Sequence, residues 1–292
     1  MGKKILITGT SGYLSNNLAN KLSDENYDVE RISVRNNSWI DQSFEGYDAI
    51  IHTAALVHNN EPQARLSDYM RVNTYLTLHV ALKAKREGVK QFIFLSTMSV
   101  YGKDGKVGKQ DRITRETPLN PSTDYGFSKL KAEQKIGELE SERFKVAIVR
   151  PPMIYGRECP GNFKKLRKVA ELAPLLPNIY NQRSALYIEH FNEFIYQLIK
   201  YNGGGIYHPQ DDFYFKTTKV MKEIRNQLHK KTFIIDIPKV INPVLNKLKL
   251  FKKLFGNLTY DQNINQNTDK IEISQQDFTS VIKAIIHSTN QK

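Results

Sequence analysis

The sequence predicts an α/β protein built on a Rossmann-type doubly wound parallel sheet, with a smaller C-terminal substrate-binding region. Three observations carry that expectation. Short, continuously apolar runs alternate with helical stretches through the first half of the chain, as strands do when crossover helices cover both faces of their sheet. The first apolar run ends in a glycine turn that leads straight into a helix, which lets backbone approach a pyrophosphate at a helix N-terminus. Downstream lies a phenol and an ammonium four residues apart, in Tyr125-Gly126-Phe127-Ser128-Lys129.

Taken in order, residues 3–8 read as the first strand, Gly9 to Gly12 as the turn and 13–24 as the first helix. Strands are expected at about 28–34 and 48–53, then a long helix from Pro62 to about Arg86, a fourth strand at 91–97, a helix over 124–142 and a strand at 146–149. After Arg150-Pro151-Pro152 the alternation decays into shorter elements rich in Pro and Asn, with a polar loop at 261–267. Residues 1–155 are therefore assigned to a nucleotide-binding domain. Residues 156–292 are assigned mainly to a region that closes over the ligand, with 183–201 expected to return to the first domain.

Composition narrows the function classes. The chain has 292 residues, 40% hydrophobic and 25% charged, an ordinary balance for a soluble globular protein. Its single cysteine, Cys159, has no internal partner for a disulfide, which suits a reducing compartment and a spectator thiol. The apolar run after Lys4 is too short for a signal peptide, and no stretch of about 18 apolar residues occurs. A cytoplasmic location is expected. The net charge of +13 is spread along the chain without a nucleic-acid-binding signature, so no nucleic-acid partner is expected. A basic balance fits an anionic small molecule or an acidic membrane surface. His52 and His58 lack metal-ligand spacing and read as structural, and no metal is expected.

In the glycine turn, Gly9, Ser11, Gly12, Tyr13 and Leu14 are placed against a dinucleotide, and Ser15 takes the third small position that packs helix on strand. At the end of the second strand, where an acid would bind a bare ribose, stand Ser33 and Arg35. A hydroxyl and a guanidinium suit a 2′-phosphate, so NADPH is expected in preference to NADH. The i,i+4 spacing of Tyr125 and Lys129 puts both on one helix face. There the ammonium is expected to draw the phenol's pKa down toward working pH, as acid–base catalysis requires. The fourth strand runs out into Ser96-Thr97-Met98-Ser99, which sheet geometry places in the ligand crevice.

On these pieces, with His52-Thr53-Ala54-Ala55, Val72-Asn73 and Thr77, Val100-Tyr101-Gly102 and Arg150-Pro151-Pro152-Met153-Ile154-Tyr155-Gly156, the chain resembles the extended short-chain dehydrogenase/reductase family of nucleotide-sugar epimerases, dehydratases and reductases. The resemblance implies that Thr97 bonds the reacting oxygen, with Ser99 as the near rival for that role and otherwise at the substrate. It also implies that Tyr125 donates the proton and Lys129 reaches the nicotinamide ribose. Thr53, Ala54, Ala55 and Asn73 then line the cofactor, and Pro151 and Pro152 its nicotinamide end. Dehydrating members carry an acidic pair after the strand-end Thr; Met98 and Ser99 stand here, so dehydration is not expected. Reduction of a keto-sugar and 4-epimerisation both remain open. A silent cofactor-binding scaffold is a third reading, against which the intact Tyr125 and Lys129 speak.

Ala54-Ala55-Leu56-Val57-His58, Cys159-Pro160-Gly161-Asn162-Phe163 and Gln182-Arg183-Ser184-Ala185-Leu186-Tyr187-Ile188 are similar to the 4-ketoreductases of surface-polysaccharide pathways. Those act on UDP-2-acetamido-2,6-dideoxy-4-hexulose and give UDP-N-acetylfucosamine or UDP-N-acetylquinovosamine. The likeness implies a UDP-sugar partner whose diphosphate Asn162 and Arg183 hold, and a homodimer through the helices at 62–86 and 124–142. The amphipathic, lysine-rich stretch 240–255 admits two readings, a substrate-domain helix with its apolar face turned inward or a peripheral contact with an acidic membrane.

Overall fold

The computed structural model describes residues 2–57, 63–265, 271 and 273–287. His58, Pro62 and the last two residues of the polar loop expected at 261–267 lie outside the described residues. The chain runs β1 (Lys4–Thr8), α1 (Tyr13–Asp24), β2 (Asp28–Ile32), β3 (Ala49–His52), α2 (Leu66–Tyr69), a π-helical segment (Met70–Leu76), α3 (Thr77–Arg86) and β4 (Gln91–Leu95). Next come β5 (Gln110–Ile113), α4 (Asp124–Gly137), β6 (Lys145–Val149), β7 (Met153–Tyr155), α5 (Asn162–Leu172), β8 (Leu175–Asn178), β9 (Ala185–Tyr187), α6 (Ile188–Lys200) and β10 (Gly205–Tyr207). The remainder is α7 (Thr217–Gln227), β11 (Phe233–Asp236), a 3-10 turn (Lys239–Ile241), α8 (Asn242–Lys247), α9 (Lys249–Phe255), β12 (Asn257–Tyr260) and α10 (Phe278–His287).

Six strands form one parallel sheet in the order β10-β6-β4-β3-β1-β2. The apolar strand residues divide by parity between its two faces. Ile5, Ile7, Ile51 and Ile93 pack with Leu18 and Leu22 of α1 and Phe191 and Ile195 of α6. Leu6, Ile50, Phe92 and Phe94 pack with Val80 and Ala84 of α3 and Ala132 and Ile136 of α4. Each fully buried aliphatic or aromatic side chain contributes about 1.5–3 kcal/mol. Because β1 sits between β2 and β3, successive connections leave it in opposite directions, and a crevice opens at the C-terminal strand ends.

Several boundaries are tighter than the apolar pattern predicts. The helix expected over 124–142 stops at Gly137. Glu140 turns back to accept the Val146 N–H at 2.6 Å, and Ser141 pairs with Phe144. The expected long helix is interrupted by the π-helical segment, which turns Asn73 and Thr74 inward onto Ser128 of α4. Strands β2 and β4 end at Ile32 and Leu95, two residues short of expectation, leaving the following residues in the crevice. Outside the central sheet stand three two-stranded parallel ribbons, β7–β9, β8–β11 and β5–β12, with α5, α7, α9 and α10 around them. The later elements rejoin the first half at several places, with α6 packing on α1, β10 pairing with β6 and β12 with β5. Among the described residues no helix is long and apolar enough to cross a membrane.

Candidate active site

The glycine turn closes on backbone geometry that side chains would block. Gly9 has φ +124°, and its N–H donates to the Ile32 carbonyl at 2.8 Å. A Cβ there would lie 2.5 Å from the Thr53 hydroxyl, which itself donates to the Thr8 carbonyl at 2.7 Å. Gly12 caps α1 with no side-chain acceptor, and a Cβ there would meet only Ser15, at 3.9 Å. Packing within the chain therefore does not demand glycine at 12. The space over the helix N-terminus and its backbone donors is what an approaching diphosphate requires, so the loop fits a dinucleotide. Ser15 is buried and donates to the Gly9 carbonyl, pinning the turn. Tyr13 donates to the Arg157 carbonyl at 2.8 Å, and Leu14 packs on the core; Ser11 is exposed on the turn.

At the end of β2, Ser33 is half-buried and Arg35 exposed, with the Arg35 N–H 3.4 Å from the Ser33 hydroxyl. Arg31, which the sequence reading passed over, reaches across the turn to Asn16 at 2.6 Å and to the Thr10 carbonyl at 3.4 Å. The signal was the strand's own alternation, since 31, 33 and 35 share one parity. On β3, His52 is buried between Thr8 at 2.7 Å and Thr77 at 3.0 Å. Burial lowers its pKa to about 3, keeping it neutral and structural, as read from the sequence. Thr53, Ala54 and Ala55 follow it at the strand end. Asn73 spends its amide on the Leu56 N–H at 2.8 Å, the Leu56 carbonyl at 3.0 Å and Ser128 at 3.0 Å, so its side chain fixes the 54–56 segment.

Thr97, Tyr125 and Lys129 come together at the end of β4. The Thr97 hydroxyl accepts the Ser99 N–H at 3.1 Å and lies 3.2 Å from the Ser99 hydroxyl. Tyr125 hydrogen-bonds Thr97, and burial pushes its phenol up to about 12 against that bond. This differs from the expected lowering by Lys129. The lysine is buried, and its ammonium points at the Leu95 carbonyl, 2.8 Å away, and lies over the Phe94 ring. Desolvation brings its own pKa down to about 7, opposed by Glu133. Pro152 is buried just beyond β6, and the Pro151 carbonyl accepts the Met98 N–H at 3.1 Å, locking the segment after Thr97.

Beneath the lysine lies a polar network absent from the sequence reading. Glu133, one turn beyond Lys129, accepts Ser96 and a forked pair of bonds from Arg150 at 2.6 and 3.1 Å. Arg150 goes on to Tyr101 at 2.9 Å, and Tyr101 to His208 at 2.8 Å. The available signal was the continued i,i+4 spacing 125, 129, 133 on one helix.

Asn162 and Arg183 line one cavity together with Phe163, Phe215, Thr217 and Lys253. Arg183 donates to the Gly256 carbonyl at 3.1 Å, while its Nε is buried without a hydrogen-bond partner among the described residues. Burial lowers the guanidinium to about 10. Cys159 is buried too, and its thiol is raised to about 12, the behaviour of an inert residue.

Comparison with known proteins bears on this arrangement. A family model described as the NAD dependent epimerase/dehydratase family matches residues 5–193. UDP-glucose 4-epimerase of Vibrio cholerae is 26% identical over 323 residues, covering 100% of this chain and 98% of that protein. Among solved structures, UDP-N-acetylglucosamine 4-epimerase from Bacillus cereus superposes with a TM-score of 0.75 at 17% identity, over 98% of this chain and 100% of that one. The NADP complex of dTDP-4-dehydrorhamnose reductase from Bacillus anthracis gives 0.73 at 20% identity, over 97% and 98% of the two chains. These two likenesses show the fold.

Proposed function

This chain belongs to the NAD dependent epimerase/dehydratase family, and from that premise we propose that it is an NADPH-dependent sugar-nucleotide 4-ketoreductase of surface-polysaccharide synthesis. Its substrate in this reading is a UDP-2-acetamido-2,6-dideoxy-hexos-4-ulose, reduced to UDP-N-acetylfucosamine or UDP-N-acetylquinovosamine in the cytoplasm. The observation that carries the reading is a phenol held protonated against Thr97 at the strand ends, with Met98 and Ser99 where a dehydratase needs carboxylates. Reduction of a ketone asks for one such proton donor.

NADPH, when bound, supplies the hydride to C4. Gly9, Ser11, Gly12, Tyr13 and Leu14 hold its diphosphate; Ser33 and Arg35, with Arg31, meet the 2′-phosphate; Thr53, Ala54, Ala55 and Pro152 line the rest. Asn73 acts there through the segment it fixes. Tyr125 gives its proton to the C4 oxygen as charge develops on it, and Thr97 donates to the same oxygen, with Ser99 beside the sugar. Lys129, poised near neutrality, anchors the ribose and returns a proton to the phenolate. Asn162 and Arg183 bind the UDP diphosphate, a task supported by a guanidinium whose Nε has no hydrogen-bond partner among the described residues. Residues 1–155 with 183–201 then serve the cofactor and the rest of 156–292 the sugar nucleotide. A homodimer would bury the exposed Tyr75, Leu82 and Phe127 on the outer side of the π-helical segment, α3 and α4.

The full-length match to a UDP-glucose 4-epimerase favours 4-epimerisation as the second reading. Supplying the UDP-keto-sugar with NADPH or NADH, and following cofactor oxidation and product NMR, separates the two. A reductase consumes one NADPH per sugar, with a higher kcat/KM than for NADH. Interconversion of UDP-hexoses without net cofactor consumption, and no turnover of the keto-sugar, would overturn the reductase.

A further inference from the structure

We propose that the chain docks on an anionic membrane through an apolar, lysine-bordered face formed by β8, β11 and the run 239–248. In the β8–β11 ribbon Phe233 is in register with Leu175, and both are more than half exposed. Ile235, two residues on, shares their side of the ribbon and is also exposed. The chain then presents Val240, Val244 and Leu248 at a spacing of four, with 82, 60 and 50% of their surfaces exposed. A neighbouring side of α8 is spent on the fold, where Leu245 is buried. An outward stripe of large aliphatic residues, additional to the inward one, is unlike the singly scattered apolar residues of an ordinary surface and marks a binding face.

Charge chooses the occupant. From Lys230 to Lys253 the sequence holds seven lysines and one acid, Asp236, whose carboxylate accepts a bond from Asn178 at 2.6 Å. Lys252 is paired with Asp104 and Lys253 lines the Arg183 cavity, so the positive charge of the face rests on the exposed Lys230, Lys231, Lys239 and Lys247. Lys239 and Lys247 are exposed within the apolar run itself. Lysine is depleted from the cores of protein interfaces, whereas beside anionic lipid each lysine is attracted to the surface. Apolar side chains enter the headgroup boundary while lysines stay at its surface. The next helix, α9, lines the Arg183 cavity through Lys253 and Leu254, so docking would tie substrate capture to the lipid surface. The inference is independent of which sugar is turned over.

The test is co-sedimentation of the full chain with extruded vesicles of phosphatidylglycerol and phosphatidylcholine, against phosphatidylcholine alone. Binding to the anionic vesicles, weakened by high salt, is expected. The double variant Val240→Asp/Val244→Asp should bind about tenfold more weakly. Its melting temperature and its turnover of the soluble sugar nucleotide should be unchanged. Equal sedimentation with both vesicle types, or undiminished binding by a folded double variant, would overturn the proposal. So would a concentration-dependent oligomer in lipid-free buffer that the double variant abolishes, which would make the face a contact between copies of this chain.

Discussion

The reacting groups are set by burial more than by their neighbours' charges. Tyr125 and Lys129 are adjacent on one helix face, yet the phenol rises to about 12 and the amine falls to about 7, both because desolvation penalises the charged form. A neutral phenol can donate, and an amine titrating near neutrality can resupply the proton. Tyr125→Phe removes the donor while keeping the ring, so kcat for ketone reduction should fall by about 10²-fold or more, with cofactor affinity nearly unchanged. Steady-state kinetics with a fluorescence titration of NADPH checks both halves, and undiminished turnover would remove Tyr125 from the chemistry.

At the scale of elements, the first turn of α4 is held close to the loop after β4 by the absence of one side chain. A Cβ on Gly126 would lie 2.7 Å from the Ser99 carbonyl and 3.2 Å from Pro121. Gly126→Ala must therefore push Tyr125 away from Thr97, and a displacement of this kind should lower kcat by about tenfold or more. Circular dichroism should show the fold retained; full activity would mean that the helix position is not critical. The positions of Gly9, Gly12 and the Tyr125 helix were legible in the sequence because glycine turns and i,i+4 spacing are local. The π-helical segment was not, since its cause is the long-range bonding of Asn73 and Thr74 to Ser128. Nor was the Glu133–Arg150 pair, whose partners lie on α4 and just beyond β6 and meet only after the sheet has formed. Arg183 and Asn162 were found by resemblance, and Lys253, which shares their cavity, carried no local signal beyond a lysine-rich helix.

Across the whole molecule, two buried histidines couple stability to pH. Burial lowers His52 to about 3 and His208 to about 4, both below the ordinary 6.5. Between those values and 6.5 the unfolded chain binds more protons than the folded one, so unfolding free energy rises with pH in that window. The stability is therefore fully present above about pH 6.5 and drains away as pH falls toward 3–4, by up to a few kcal/mol. Thermal melts across that range should show the loss, and His52→Asn should flatten its slope. An unaltered slope would exclude His52 from the effect.

The edge position of β10 also sets an order of events during synthesis. Gly205–Tyr207 complete the central sheet against β6, and the Tyr207 carbonyl accepts the Arg150 N–H. While the ribosome is still making the intervening segment, the Rossmann half carries an unfinished strand border whose open donors and acceptors invite pairing with other nascent chains. Translation arrested before residue 205 would leave that border uncovered. A chain cut before residue 205 should therefore self-associate more readily than the full-length chain, through the border that β10 otherwise covers.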